Sequence, residues 1–509
     1  MERRLEGLAR ARVVARIWAK DPSVWKGDPG TPEIRDRLGW LTVADTMVAQ
    51  AGSLAAFADD VRAHFSRVVL CGMGGSSLAP ELLRRTFGAA PGYPSLTVVD
   101  STDPRAIAAA ARDGDLQRTL FLISSKSGTT LEPDCLFRYF WSLTGARGSQ
   151  FVAITDPETP LAALASERGF RRRFLNPPDI GGRYSVLSYF GLVPAALLGI
   201  DVARLLERAR HMAQACAAGV PAPDNPAARL GAVLGGAALD RRDKATFVLS
   251  AGIASLGLWV EQLIAESTGK EGKGIVPVAD EALGAPAVYG RDRLFVSVAL
   301  AGDEDPATES RLAALAEAGH PVVRLALADR YDLGGAFFQW EFATAVACAV
   351  LGINAFDQPN VAESKANTSA VLERRGAPSP SATRADLDRF FAAINPGDYL
   401  ALMAYLPPSP AYDRRLEGVR LKLRDRLAVA TTVGYGPRFL HSTGQLHKGG
   451  PPVGHFLQIT ERAPQDVAIP DKPFTFGELE AAQAEGDLLA LRKRGRPALR
   501  LEGLDLLER

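Results

Sequence analysis

The sequence predicts an α/β protein: two domains, each a parallel sheet flanked by helices, followed by a smaller C-terminal domain. Three observations carry that expectation. Short, continuous apolar runs rich in β-branched and aromatic residues alternate with helical patterns. The early runs each open into a turn of Gly, Ser, Thr or Asp before the next helix. With 509 residues, 47% of them hydrophobic, the chain can bury several cores, enough for roughly two to four domains.

In order, residues 1–45 read as an N-terminal helical segment, with Leu5, Leu8, Val13, Ile17 and Trp18 on one amphipathic face and a Pro/Gly-rich turn at 26–32. The first domain, 46–200, has strand candidates at 68–71, 96–99, 120–123 and 151–154. The second, 201–395, has strands at 246–249, 294–298 and 322–327 and helices at 255–267 and 337–351. Strands that are apolar throughout and separated by helices predict a sheet covered on both faces. The third domain, 396–509, has strand-like 399–405 and 427–433, a Gly/His-rich loop, and a polar helical tail at 476–494.

Composition excludes several classes of partner. Fifty-nine basic residues against 58 acidic ones leave a net charge of +1, with no long run of either sign. No nucleic-acid partner is expected, and any anion site must be local. Apolar stretches such as 186–200 fall short of the roughly 20 residues of a membrane span, so no membrane partner is expected. The charged N-terminus has no apolar core followed by a cleavage site, which argues against a secretory signal. Cys71, Cys135, Cys216 and Cys348 are far apart without a CxxC. They predict reduced thiols, a cytoplasmic setting, and no disulfide framework or metal site.

Four stretches carry chemistry. The first, residues 68–80, runs from a strand into Gly72-Met73-Gly74-Gly75-Ser76-Ser77 and then a helix. Such a turn aims backbone N–H groups at an anion. A dinucleotide loop competes for this reading, with Asp100 at the end of the next strand as its ribose acceptor, but its pattern needs glycine where Ser77 stands. The second, residues 124–132, reads Ser-Ser-Lys-Ser-Gly-Thr-Thr-Leu-Glu after an apolar strand. Its density of hydroxyl and N–H donors suits a phosphate monoester better than a helix cap does. The third places Gln262 and Glu266 four residues apart on an apolar helix that ends at Gly269. There the helix dipole would raise the carboxyl pKa toward that of a working base. A solvated terminal carboxylate is the competing reading. The fourth is Phe356-Asp357-Gln358-Pro359-Asn360-Val361, followed by Lys365.

In this order, with Gly181-Gly182-Arg183-Tyr184-Ser185 between the second and third, the motifs resemble the sugar isomerase (SIS) domains of the phosphoglucose isomerase family. The resemblance covers roughly residues 10–505 and is strongest from Val68 to Lys365. It implies an aldose–ketose isomerase acting on D-glucose 6-phosphate and D-fructose 6-phosphate, without a cofactor, as a cytoplasmic homodimer. It assigns Glu266, Lys365 and Arg183 as catalytic residues. Glu266 is the base between C1 and C2, and Arg183 lies beside an enediolate oxygen. Gly75, Ser76, Ser125, Lys126, Ser127, Thr129, Thr130, Gln262 and Gln358 are implied to bind substrate, the 125–130 loop on the phosphate.

One departure stands out. The family commonly places a ring-opening histidine after the catalytic glutamate, and residues 267–319 contain none. His441 and His447, in the Gly/His-rich loop, are the remaining candidates. That C-terminal stretch resembles the isomerase half of fused transaldolase and phosphoglucose isomerase proteins. A transaldolase barrel needs about 250 residues, so a free-standing isomerase is implied. Two alternatives stay open from sequence: activity on mannose 6-phosphate, and a sugar-phosphate-binding regulator with no chemistry.

Overall fold

The computed structural model describes residues 2–28, 30–374 and 379–508. In the first sheet the anticipated strands are β1 (Arg67–Gly72), β2 (Ser95–Val99), β3 (Thr119–Ser124) and β4 (Phe151–Thr155), joined by an edge strand β5 (Arg172–Leu175). They pair in parallel in the order β2-β1-β3-β4-β5. Side-chain alternation splits their apolar residues between two cores. Val68, Leu70, Leu122 and Ile154 enter one, and Val69, Cys71, Phe121 and Phe151 the other. β5 escapes a reading by apolar runs because only Phe174 of its four residues is buried.

The second sheet comprises β6 (Lys244–Leu249), β7 (Val276–Val278), β8 (Arg293–Leu300) and β9 (Val322–Leu327), in the order β7-β6-β8-β9. The third comprises β10 (Tyr399–Tyr405), β11 (Ala430–Tyr435), β12 (Gly454–Thr460) and β13 (Ala498–Glu502), in the order β11-β10-β12-β13. Both are parallel. In all three sheets the second strand lies on one side of the first and the third strand on the other. The winding therefore reverses between the first and third strands, and a crevice opens there at the carboxyl ends.

Three local features depart from the sequence pattern. The single N-terminal helix is two, Glu2–Arg10 and Val13–Trp18, broken where Arg12 takes a left-handed conformation at φ 52°. The break turns Val13, Val14 and Ile17 into the core. The strand anticipated at 427–433 begins later, at Ala430, because the preceding helix Pro410–Leu427 runs up to it. Finally, Arg330–Leu351 is the one described helical stretch long and apolar enough to cross a membrane, and 83% of its apolar window is buried inside the protein. It is a core helix, with Trp340 against Phe247 of the second sheet. Glu341 interrupts its apolar run in the sequence, yet that residue is fully buried and its carboxyl is pushed well above the usual range by desolvation.

The third sheet is placed where it can matter to chemistry. One of its faces, with Tyr399, Ala401, Met403 and Tyr405, shares a core with Val276 and Val278 of β7 and with Ala265 of the helix Leu256–Thr268. Ala265 is the neighbour of Glu266, so the helix Leu256–Thr268 packs against the third sheet.

Candidate active site

β1 and β3 lie side by side with Gly72 opposite Ser124, so the loops that follow them leave the carboxyl edge of the first sheet together. These are the 73–77 and 125–130 loops of the sequence reading, and they flank the point where the winding reverses. Glycine is required at both contacts of the first loop. Gly74 has φ +55°, and a Cβ there would stand 2.8 Å from the His441 carbonyl oxygen and 2.9 Å from Gln262 Nε2. A Cβ on Gly75 would stand 1.9 Å from the Gly182 carbonyl oxygen. Backbone contact therefore joins the first motif to the Gly181-Gly182-Arg183 turn and to the loop of His441. Gly75→Ala should cost about 1–3 kcal/mol through forced separation of these backbones and raise KM for a sugar phosphate. Denaturant unfolding and a substrate titration check this, and wild-type values in both would show that the contact is dispensable.

Glu266 lies in the last turn of the helix Leu256–Thr268 and is 5% exposed. Gln262 donates from Nε2 to its carboxylate at 3.1 Å and to the His441 carbonyl at 2.8 Å. Arg183 Nη1 stands 3.7 Å from the other carboxylate oxygen. Burial lifts the Glu266 carboxyl above its ordinary range, while Arg183, Gln262, His441 and Lys270 pull it down. The direction is the one read from the helix end, but desolvation is its leading cause.

Arg183 is 2% exposed, and its fork is aimed by Nε to Ser267 Oγ at 2.7 Å and by Nη2 to the carbonyls of Ala355 at 2.7 Å and Asp357 at 3.2 Å. Lys270, to which the sequence reading gave no role, is also 1% exposed. It donates to Asn354 O, Asp357 O and Asp357 Oδ1, each at 2.6 Å. Burial and Arg183 depress its pKa to about 8 against the pull of Asp357. Lys270 and Arg183 thus pin the turn that leads into Gln358, whose side chain is exposed. Lys365 follows near the start of the helix Val361–Arg374, and its side chain lies outside the described residues.

In the second loop, Ser125 is buried and donates to Thr130 Oγ1 at 3.1 Å. Ser127 and Thr129 are exposed, with their hydroxyls 2.9 Å apart. Gly128 takes φ +66° at the apex. Lys126 is half-buried and paired with Asp156, with a second bond to Pro178 O at 3.3 Å. The hydroxyls therefore form the open part of this loop, and Lys126 braces its side. Ser76, in the first loop, is 8% exposed.

Only one of the two C-terminal histidines reaches this region. His441 Nε2 is 2.9 Å from Glu132 Oε1, although the two residues are 309 positions apart. Gln483 donates to the same carboxylate oxygen at 2.7 Å and is itself held by Thr102 at 2.8 Å. Glu132 and Gln483 are site residues that the sequence reading missed. Glu132 was visible as the end of the hydroxyl-rich motif, and Gln483 had no local signal. His447 packs instead between the rings of Phe439 and Phe456, at centroid distances of 6.0 and 5.0 Å. Asp100, the acceptor in the competing dinucleotide reading, is occupied by a two-pronged pair with Arg438, both bonds 2.8 Å.

A family model described as phosphoglucose isomerase matches residues 46–290. A glucose-6-phosphate isomerase of Symbiobacterium thermophilum is 32% identical over 315 residues, which is 52% of this chain and 68% of that protein. The chain belongs to the phosphoglucose isomerase family. Another phosphoglucose isomerase relative, the glucose-6-phosphate isomerase of Thermosynechococcus vestitus, is 33% identical over 274 residues, 51% of this chain. There the chain spans 50% of the relative's length. The crystal structure of a glucose-6-phosphate isomerase from Chlamydia trachomatis shares the phosphoglucose isomerase fold at a TM-score of 0.60 and 20% identity, over 76% of this chain and 88% of that one. The segment matched by the phosphoglucose isomerase model holds the two donor loops, Arg183, Gln262 and Glu266; the third sheet and His441 lie beyond it.

Proposed function

We propose that the chain interconverts D-glucose 6-phosphate and D-fructose 6-phosphate through an enediolate. The observation that carries the proposal is the buried Glu266 carboxylate, held by Gln262 at 3.1 Å and faced by Arg183 at 3.7 Å, in a chain whose relatives bear the name of that activity.

The phosphate is held by the open hydroxyls of Ser127 and Thr129 with Ser125 and Thr130 behind them. In the open-chain aldehyde, the Glu266 carboxylate removes the proton on C2. The electron pair moves to O1, where the Arg183 guanidinium offsets the developing charge. Glu266 then returns the proton to C1, and a hydroxyl proton passes from O2 to O1, which completes the ketose. The Gln262 amide fixes the carboxylate geometry, so that the same oxygen serves both carbons. Homodimer formation and a cytoplasmic setting belong to the same proposal and rest on the resemblance.

Ring opening is assigned to His441, held by Glu132 at 2.9 Å, with Lys365 as the second participant by resemblance. His441→Ala should lower turnover of the pyranose by about 10²-fold. His447→Ala should leave ring opening unchanged and lower stability instead, because His447 fills the space between Phe439 and Phe456. Stopped-flow kinetics on anomerically pure substrate checks both, and unaltered ring opening in His441→Ala would remove this residue from the mechanism.

The whole reading is tested by a coupled assay in which purified protein, given fructose 6-phosphate, supplies glucose 6-phosphate to a reporter dehydrogenase. Turnover supports it. Binding of the sugar phosphate without turnover would make the chain a sugar-phosphate-binding regulator.

A further inference from the structure

A second crevice lies at the reversal point of the third sheet. Tyr405 ends β10 and Thr460 ends β12, and the two are partners in the last rung of the ladder. Together with the start of the helix Phe476–Lys493 they line a cavity of about 890 Å³. In open parallel sheets this is the position at which ligands are taken. The first sheet uses its own such position for the donor loops described above.

Three side chains of the cavity lining each carry a buried polar atom that the fold leaves unpaired. Tyr405, Glu480 and Arg500 line it and are 1%, 7% and 6% exposed. Tyr405 Oη, Glu480 Oε1 and Arg500 Nη2 have no hydrogen-bonding partner among the described residues. The rest of the Arg500 fork is engaged, with Nε on Gln458 at 2.8 Å and Nη1 on Glu485 at 2.6 Å. Leaving buried polar atoms unpaired costs about 1–3 kcal/mol each, so three at one cavity call for a partner.

The charge around the cavity selects the partner's chemistry. The helix N-terminus that would attract a phosphate is already filled by Asp466, which accepts from Gly477 N at 2.8 Å and Thr475 Oγ1 at 2.6 Å. Glu478 and Glu502 add further carboxylates to the lining. With Glu461, Asp466 and Glu480 these carboxylates outnumber the two cations of the lining, Arg462 and Arg500, and a phosphate is disfavoured. A hydroxyl, a carboxyl and a guanidinium N–H instead offer the alternating donors and acceptors that a vicinal diol satisfies.

We propose that this crevice is a second ligand site, separate from Glu266 and its loops, for an uncharged vicinal diol: an unphosphorylated hexose or the ribose of a nucleoside. Isothermal titration of the full chain with D-glucose, adenosine and inorganic phosphate tests it. Saturable binding of glucose identifies the sugar and of adenosine the nucleoside, and either should weaken at least tenfold in Ala481→Trp, which fills the cavity from its exposed rim, and in Tyr405→Phe. Ser125→Ala, in the loop of the first sheet, should leave that binding unchanged. Absence of saturation by both diols overturns the proposal. So does binding that survives both cavity variants, binding that Ser125→Ala weakens as strongly, or tighter binding of phosphate through Tyr405.

Discussion

Glu266→Gln should lower kcat for glucose 6-phosphate by about 10²–10⁴-fold, the range for loss of a positioned general base, with KM changed by no more than a few-fold. The glutamine keeps the shape of the side chain and its contact with Gln262, so binding through the hydroxyl loop is spared while proton transfer is not. Burial raises the Glu266 carboxyl above its ordinary 4.5, and a base works only when deprotonated. Activity should therefore fall as pH drops through a value above 4.5, and this acid limb should vanish from the residual rate of Glu266→Gln. A pH series on both proteins checks it. An acid limb at or below the ordinary value, retained in the variant, would assign the base to another residue.

Arg183→Lys should lower kcat by about 10²–10³-fold, comparable to losing one donor that faces the developing oxyanion. Charge is conserved, so the change isolates geometry. The guanidinium uses Nε for Ser267 and Nη2 for the Ala355 and Asp357 carbonyls, and this leaves Nη1 beside Glu266. A single ammonium cannot hold those anchors and face the substrate at once. The turn at 354–357 keeps its second anchor in Lys270, so the fold should persist, and thermal unfolding should shift far less than kcat. A kcat close to wild type would place the enediolate charge elsewhere.

How much of this was legible in the sequence follows from the range over which each feature acts. Gln262 and Glu266 are four positions apart on one helix, and a helical repeat suffices to put them on one face. The two donor loops each follow an apolar strand, which places them at a carboxyl edge; their meeting depends on β1 and β3 being neighbours, and motif order cannot show that. Arg183 reads as functional from its motif, yet the Ser267 and Ala355 contacts that aim it are set by tertiary packing. His441 and Glu132 are paired across 309 positions, so the sequence could offer two histidines without choosing between them. The choice depends on the third sheet docking beside Ala265. Lys270 was invisible as a structural group because a lysine at a helix end is ordinarily solvated, and only the fold shows it buried against the 354–357 turn. The strands β5, β7, β12 and β13 were missed for a related reason. β5 and β7 are short edge strands, and β12 carries the polar Gln458, buried because it donates to the Ala484 carbonyl of the helix Phe476–Lys493.

The central claim is that Glu266 carries a proton between C2 and C1. The most direct test is incubation of glucose 6-phosphate with the protein in deuterium oxide, followed by proton NMR of the substrate and product carbons. The account predicts deuterium at C2 of glucose 6-phosphate and C1 of fructose 6-phosphate, accumulating with turnover in the wild-type protein and lost in Glu266→Gln. Exchange at the wild-type rate in that variant would contradict it.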